Sequence, residues 1–251
     1  MKNNLNYFFK TMKISSLTLF FFFCCPDISF SQISINSYIE VGNNNVSEGI
    51  YANYSAQVSA RFGSFTASTG GLLSFSHVTD KVFSAYLLQV ANEFRIFKLP
   101  VNIAAFYFLK PFSVDFKETN IGILTDFRSK HVGYSLGLNS RVYSFTAAAK
   151  QNYNIPDSIN TSIWEPINLM YRLTYYQRLS KKWDFEACVT NFDSYIIEQE
   201  TNPMIITKFS YKIEPNFQLY SDIGYMQTDL LNRRIRYFGV FFRGGVKWRI
   251  N

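Results

Sequence analysis

Cysteine is nearly absent from this chain, and two of its three copies, Cys24 and Cys25, fall within the first thirty residues. The third is Cys188, so once those thirty residues are set aside no intramolecular disulfide can staple the protein, even in an oxidising compartment. Histidine is scarcer still: His77 and His131 are the whole supply, which excludes a multi-histidine metal centre. Neither a metal nor a cofactor is expected. Long apolar runs are also missing. The longest, Leu17 to Cys25, covers nine residues, against the roughly 20 that a helix needs to cross a bilayer. No transmembrane helix is therefore expected. Leucine is sparse beside 26 phenylalanines and 17 tyrosines, and the mean hydropathy lies close to zero. Such a balance suits a surface half in lipid and half in water better than a soluble domain with one concentrated core.

The apolar run belongs to an address. Lys10 and Lys13 flank Met12, the greasy stretch includes Phe20 to Phe23, and small or polar residues lead to Ser29-Phe30-Ser31-Gln32. Positive, apolar and small segments in that order define a secretory signal peptide, and starting it at Met12 gives it ordinary proportions. A lipid anchor would need a small residue before the cysteine, where Phe23 and Cys24 stand instead. Cleavage after Ser31 makes residues 1–31 a removed leader and 32–251 a single domain. It also removes Lys2, Lys10, Lys13 and Asp27, taking the net charge from +7 to +5.

What the remaining chain has in abundance is alternation. Ile50, Ala52, Tyr54, Ala56, Val58, Ala60 and Phe62 fall on one face of an extended segment, and Tyr51, Asn53, Ser55, Gln57, Ser59 and Arg61 on the other. The same two-residue period recurs about a dozen times and predicts strands at 33–42, 50–62, 64–77, 81–97, 101–111, 119–128, 131–149, 167–179, 183–194, 204–213, 217–227 and 235–250. The strand 131–149 switches its apolar parity near Asn139 to Val142, the mark of a bulge or a hairpin. Connections alternate between tight ones, such as Phe62-Gly63 and Ser129-Lys130, and mostly longer polar ones, such as 42–49, 112–118, 150–166 and 194–203. No water in hydrocarbon can satisfy an open sheet edge, so a membrane sheet has to pair its first strand with its last. The expected fold is all-β: a closed antiparallel transmembrane β-barrel of about twelve strands with both termini periplasmic. A secreted β-sandwich also alternates, but its outward face is polar, whereas here rings and branched aliphatics fill the apolar face of nearly every strand.

The last strand sets Phe238, Val240, Phe242, Val246, Trp248 and Ile250 against Tyr237, Gly239, Phe241, Arg243, Gly245, Lys247 and Arg249. It resembles the terminal recognition strand of Gram-negative outer-membrane β-barrels, although the chain ends Trp248-Arg249-Ile250-Asn251 and not on an aromatic residue. The resemblance implies three things: residence in the outer membrane, contact with its lipid, and engagement of the barrel assembly machinery through this strand. The low leucine content, the many aromatics and a leader cut before glutamine resemble barrels of the Bacteroidota. Other outer-membrane proteins are candidate partners, and no nucleic acid is expected to bind.

With the apolar face in lipid, the opposite face lines the interior. That places inward Glu40, Arg61, Glu93, Arg95, Lys110, Asp126, Arg128, Arg141, Arg172, Arg178, Asp184, Glu186, Lys208, Lys212, Glu214, Asp222, Arg243, Lys247 and Arg249, twelve basic residues against seven acidic. Such charges need water or each other. A twelve-stranded barrel is intermediate in bore, so the lining forms either a narrow, anion-leaning pore or a cross-linked interior. The expected function is a narrow channel for small anionic solutes. The alternative is a non-catalytic accessory barrel of a larger outer-membrane assembly or secretion complex. Trp183, Phe217 and Trp248, beside short turns or the C-terminus, are expected to form an interfacial girdle.

Two further features bear on function. His77 and Thr79 lie at an outer strand end, which resembles outer-membrane phospholipase A and the lipid A deacylases, where a histidine and a hydroxyl nucleophile face lipid. That resemblance implies His77 as base and Thr79 as nucleophile, but threonine replaces serine and a third residue to orient the histidine is missing. A lipid-acting rim enzyme therefore ranks last, and Asp222 with Asp229 is too thin a cluster for omptin-like proteolysis. The connection 150–166, with Tyr153, Ile155, Pro156, Ile163, Trp164 and Pro166, is apolar enough to fold inward as a constriction or to cover a partner.

Overall fold

A computed structural model describes residues 32–44, 50–75, 83–97, 99–111, 116–156, 158–193, 199–228 and 236–250. Among them twelve strands run in chain order: β1 (Gln32–Asn44), β2 (Ile50–Phe62), β3 (Phe65–Ser74), β4 (Phe83–Ile96), β5 (Leu99–Pro111), β6 (Phe116–Arg128), β7 (Val132–Phe145), β8 (Ser162–Arg178), β9 (Trp183–Phe192), β10 (Gln199–Glu214), β11 (Phe217–Thr228) and β12 (Arg236–Ile250). Each pairs antiparallel with its neighbour in sequence, and β1 closes the ring on β12, from Ile33 opposite Ile250 to Asn44 opposite Gly239. The expected closed antiparallel barrel is the fold, and closure leaves no edge strand to blunt.

The alternation sorts the side chains as a transmembrane barrel requires. Ile39, Val58, Val90, Ile121, Ile123, Leu136, Leu138, Leu173, Ile223 and Phe242 stand exposed on the outside. Tyr38, Glu40, Ser55, Asn120, Ser135, Thr174, Ser210, Asp222 and Arg243 are buried within. The tight turns 63–64, 129–131, 179–182 and 215–216 lie at the same end as both termini. At this short-turn end Trp183 packs its ring 4.8 Å from that of Tyr211, and Phe217 pairs with Trp248.

Three features depart from expectation, each at the opposite, long-loop end. The segment 131–149 ends as a strand at Phe145 and continues as helix α1 (Ala147–Asn152), capped by the Thr146 side chain, which accepts from Ala149 N–H at 3.1 Å. Helix-forming alanines 147–149 prolong the apolar pattern without prolonging the strand. Strand β7 itself keeps one parity, Asn139 and Arg141 both inward. The bulge lies on its partner: between Asn139–Asn168 and Arg141–Glu165, β8 advances three residues while β7 advances two. Pro166 sits in that extra stretch, where its missing N–H breaks no ladder bond. Finally, β8 begins at Ser162, so the last five residues of 150–166 are wall, with Ile163 and Trp164 exposed and the Trp164 indole N–H donating to Ser140 Oγ at 2.7 Å.

Candidate functional site: the barrel interior

The interior is built by register. Glu40 on β1 lies opposite Arg243 on β12, Arg243 opposite Asp222 on β11, Asp222 opposite Lys208 on β10, and Lys208 opposite Glu186 on β9. Five neighbouring strands thus carry inward charges of alternating sign in one hydrogen-bonding row. Each charge inside the row has an opposite charge on both sides, the arrangement that lets ions tolerate a low-dielectric surround. Arg243 is the hub. Its Nε donates to Glu40 and its Nη2 to Asp193, while its guanidinium lies 4.9 Å from the Tyr38 ring centre and 4.4 Å from that of Phe241. Asn53 Nδ2 completes the shell by donating to Glu40 Oε1 at 3.3 Å.

Beside this row is a cavity of about 60 Å³ lined by Arg172, Thr174, Tyr176, Glu186, Cys188, Ile206, Lys208, Asp222 and Arg243. Three cations and two carboxylates face it, with two hydroxyls and a thiol between them. Lys208 Nζ lies 4.2 Å from the Tyr220 ring centre, and the Arg128 guanidinium lies 4.1 Å from that of Tyr176. Toward the short-turn end Lys247 feels the charges of Arg249, Lys208 and Arg128, with Glu186 as the acidic counterweight.

Inward glycines keep large rings against the wall. A Cβ at Gly224 would overlap the Phe241 ring, and one at Gly122 would meet the Phe106 ring. In both cases glycine is required by close approach, and the bulk of the aromatic ring is laid along the barrel wall.

A different chemistry fills another part of the interior. Leu72, Ala85, Leu87, Phe106, Phe108, Leu124, Met170 and Phe192 form one buried apolar cluster, with Phe108 and Phe192 at 0% and 1% exposure. A second, of Tyr51, Met204, Ile206 and Phe241 with Cys188 packed against it, adjoins the charged row. The interior is thus not uniformly polar: the first cluster reaches from β3 to β6 across to Met170 on β8 and Phe192 on β9, and the charged row runs along β1 and β9 to β12.

The sequence-selected charges divide by height. Arg172, Lys208, Asp222 and Arg243 meet at the cavity. Arg61 pairs with Glu93 at 3.1 Å, both half exposed near the short turns, where exposed Arg95 also lies. Arg141 sits toward the long-loop end, its Nε 3.0 Å from Glu118 Oε1 and its Nη1 donating to Tyr143 Oη at 2.7 Å; Asn120 Oδ1 accepts from both Arg141 and Asn139. Trp183 and Trp248 are half exposed on the outside. His77, Thr79 and Asp229 lie outside the described residues.

Three carboxylates escaped the alternation: Glu118, Glu165 and Asp193. The first two lie in segments read as connections, because outward residues there, such as Lys117 and Ser162, no longer need to be apolar. Asp193 turns inward because Thr190, Asn191, Phe192 and Asp193 are all buried in succession, with the register slipping between Phe192–Gln199 and Thr190–Met204. The run Asn191-Phe192-Asp193, where alternation stops making sense, was its available signal.

No protein-family model matches the chain, and no curated protein does. Solved structures do. The KdgM porin, determined in complex with disordered oligogalacturonate, superposes with a TM-score of 0.52 at 12% identity, covering 87% of this chain and 99% of that one. The NanC porin gives 0.49 at 11% identity over 85% of this chain and 100% of that one. Omp33 of Acinetobacter baumannii gives 0.42 at 9% identity, with 89% and 99% covered. At such identities the likeness is one of fold: an outer-membrane-type barrel.

Proposed function

We propose that this protein is an outer-membrane barrel, exported behind residues 1–31 as a cleaved leader and oriented with both termini in the periplasm, whose interior is a narrow path for small anionic solutes. The supporting observation is the cavity at the charged row. Its lining is mostly polar, its cations outnumber its carboxylates, and Arg128, Lys247 and Arg249 add positive charge toward the short-turn end. A cationic lining inside a low-dielectric wall focuses its field and raises the local anion concentration. Lipid contacts the outer face, Trp183, Phe217 and Trp248 sit at its inner boundary, and β12 is the strand offered to the assembly machinery.

Planar bilayers provide the test. The purified protein is expected to give small unitary currents with a permeability ratio favouring anions. Arg172→Glu combined with Lys208→Glu is expected to lower that ratio severalfold; unchanged selectivity would remove both side chains from the path.

A second reading has its own support. The Phe108–Phe192 cluster buries eight apolar side chains inside the barrel, which suits a non-conducting barrel serving as an accessory subunit of a larger outer-membrane assembly. Silent bilayers together with a stoichiometric co-purifying partner would establish it in place of the channel.

A further inference from the structure

The cations facing the central cavity are unequally satisfied. Arg243 is held by Glu40 and Asp193, and Lys208 faces Asp222 in register. Arg172 differs: among the described residues no carboxylate lies within ion-pair distance of it, and its Nε is buried without a hydrogen-bond partner. Its guanidinium rests 5.1 Å from the Phe192 ring centre. Thr174 follows two residues along the same inward face of β8, and Cys188 stands opposite Thr174 on β9, its thiol within hydrogen-bonding reach of the guanidinium. A guanidinium that lines a cavity with no carboxylate paired to it is complementary to a planar oxyanion, because two parallel N–H groups match the two oxygens of a carboxylate.

We infer that Arg172, with Thr174 and Cys188 beside it, forms a binding subsite for the carboxylate of a small solute inside the barrel. The inference rests on reading the interior as a solute path, since the carboxylate has to reach the cavity. Charge narrows the class. Glu186 and Asp222 on the cavity's other walls repel a second negative charge, so a monocarboxylate fits better than a dianion.

Cys188 reports on the site directly. In the full-length protein in detergent, N-ethylmaleimide modification of the Cys188-containing peptide is followed by mass while acetate replaces chloride at constant ionic strength. Acetate is expected to slow modification saturably by at least tenfold, and inorganic phosphate to do so less. Arg172→Gln should raise the half-protecting acetate concentration tenfold or more. Arg172→Lys, which keeps the charge and loses the fork, should fall between, and heat-modifiable gel migration verifies that each variant is folded. Equal protection by chloride and acetate, stronger protection by phosphate, protection unchanged in both variants, or a thiol that never reacts would each overturn the subsite. Acetate protection in a protein that is silent in bilayers would keep the subsite and refute the channel; anion-selective current without acetate protection would do the reverse.

Discussion

A buried arginine in a barrel wall is tolerable only while its partners hold, and Arg243 shows how many it takes. Two carboxylates, two aromatic faces and the in-register Asp222 surround a side chain that is 4% exposed. Glu40 and Asp193 come from opposite sides of the closure: one from the first strand, the other from the end of β9. Removing one partner leaves charge uncompensated in a low-dielectric surround, which costs more than the pair contributes. Glu40→Gln should therefore lower stability by about 3–5 kcal/mol, read as the urea midpoint of heat-modifiable migration. Arg61→Gln at the short-turn end, where the pair with Glu93 is half exposed, should cost at most about 1 kcal/mol. Similar losses at the two positions would mean that the interior is wet throughout. Alternation alone placed Arg243 and Glu40 inward, since both share the polar parity of their strands. Asp193 was not legible, because its inward turn depends on how β9 ends against β10, a pairing that local periodicity does not encode.

Strands are where the sequence speaks most clearly in the span that crosses lipid, and most weakly beyond it. Strands β2, β9, β11 and β12 match their expected bounds to within two residues, because lipid imposes an apolar residue at every second position. Strands β6 and β8 start earlier than expected, at Phe116 and Ser162, because past the lipid an outward serine or lysine is as good as an isoleucine. The same loss of constraint hid Glu118 and Glu165, the partners of Arg141. Closure depends on an element that satisfies two neighbours at once. Val246 on β12 stands opposite Ser37 on β1 and Leu219 on β11, so a proline there must break a ladder bond to one of them. Val246→Pro should abolish most of the heat-modifiable folded band, whereas Ile250→Pro at the strand end should leave most of it; the ratio of folded to unfolded band on an unboiled gel measures both.

For the whole molecule, the deciding question is what a barrel of this girth does with its interior. Twelve strands enclose more space than eight, whose side chains alone can fill the lumen, yet here β3 to β6 lay leucine and phenylalanine across the interior toward Met170 and Phe192, while β1 and β9 to β12 carry an alternating row of charge. The two act differently on a solute. In the proposed path the charged row is the polar side and the Phe108–Phe192 cluster is the candidate barrier, since a constriction lined by apolar groups too narrow to stay wet blocks ions without any covalent plug. The inward apolar positions were visible in the sequence as residues of polar parity, Leu72, Leu87, Phe106 and Phe108, but only the ring of pairings reveals that they converge on one wall. Phe108→Ala together with Phe192→Ala removes the two largest fully buried side chains of that cluster. Should the cluster be the barrier to a path, unitary conductance in planar bilayers is expected to rise severalfold, with anion preference kept because Arg172, Lys208 and Arg243 are untouched. A double variant that folds, by heat-modifiable migration, yet conducts no more than the parent would assign the cluster to stability alone and transfer the burden of explanation to the assembly reading.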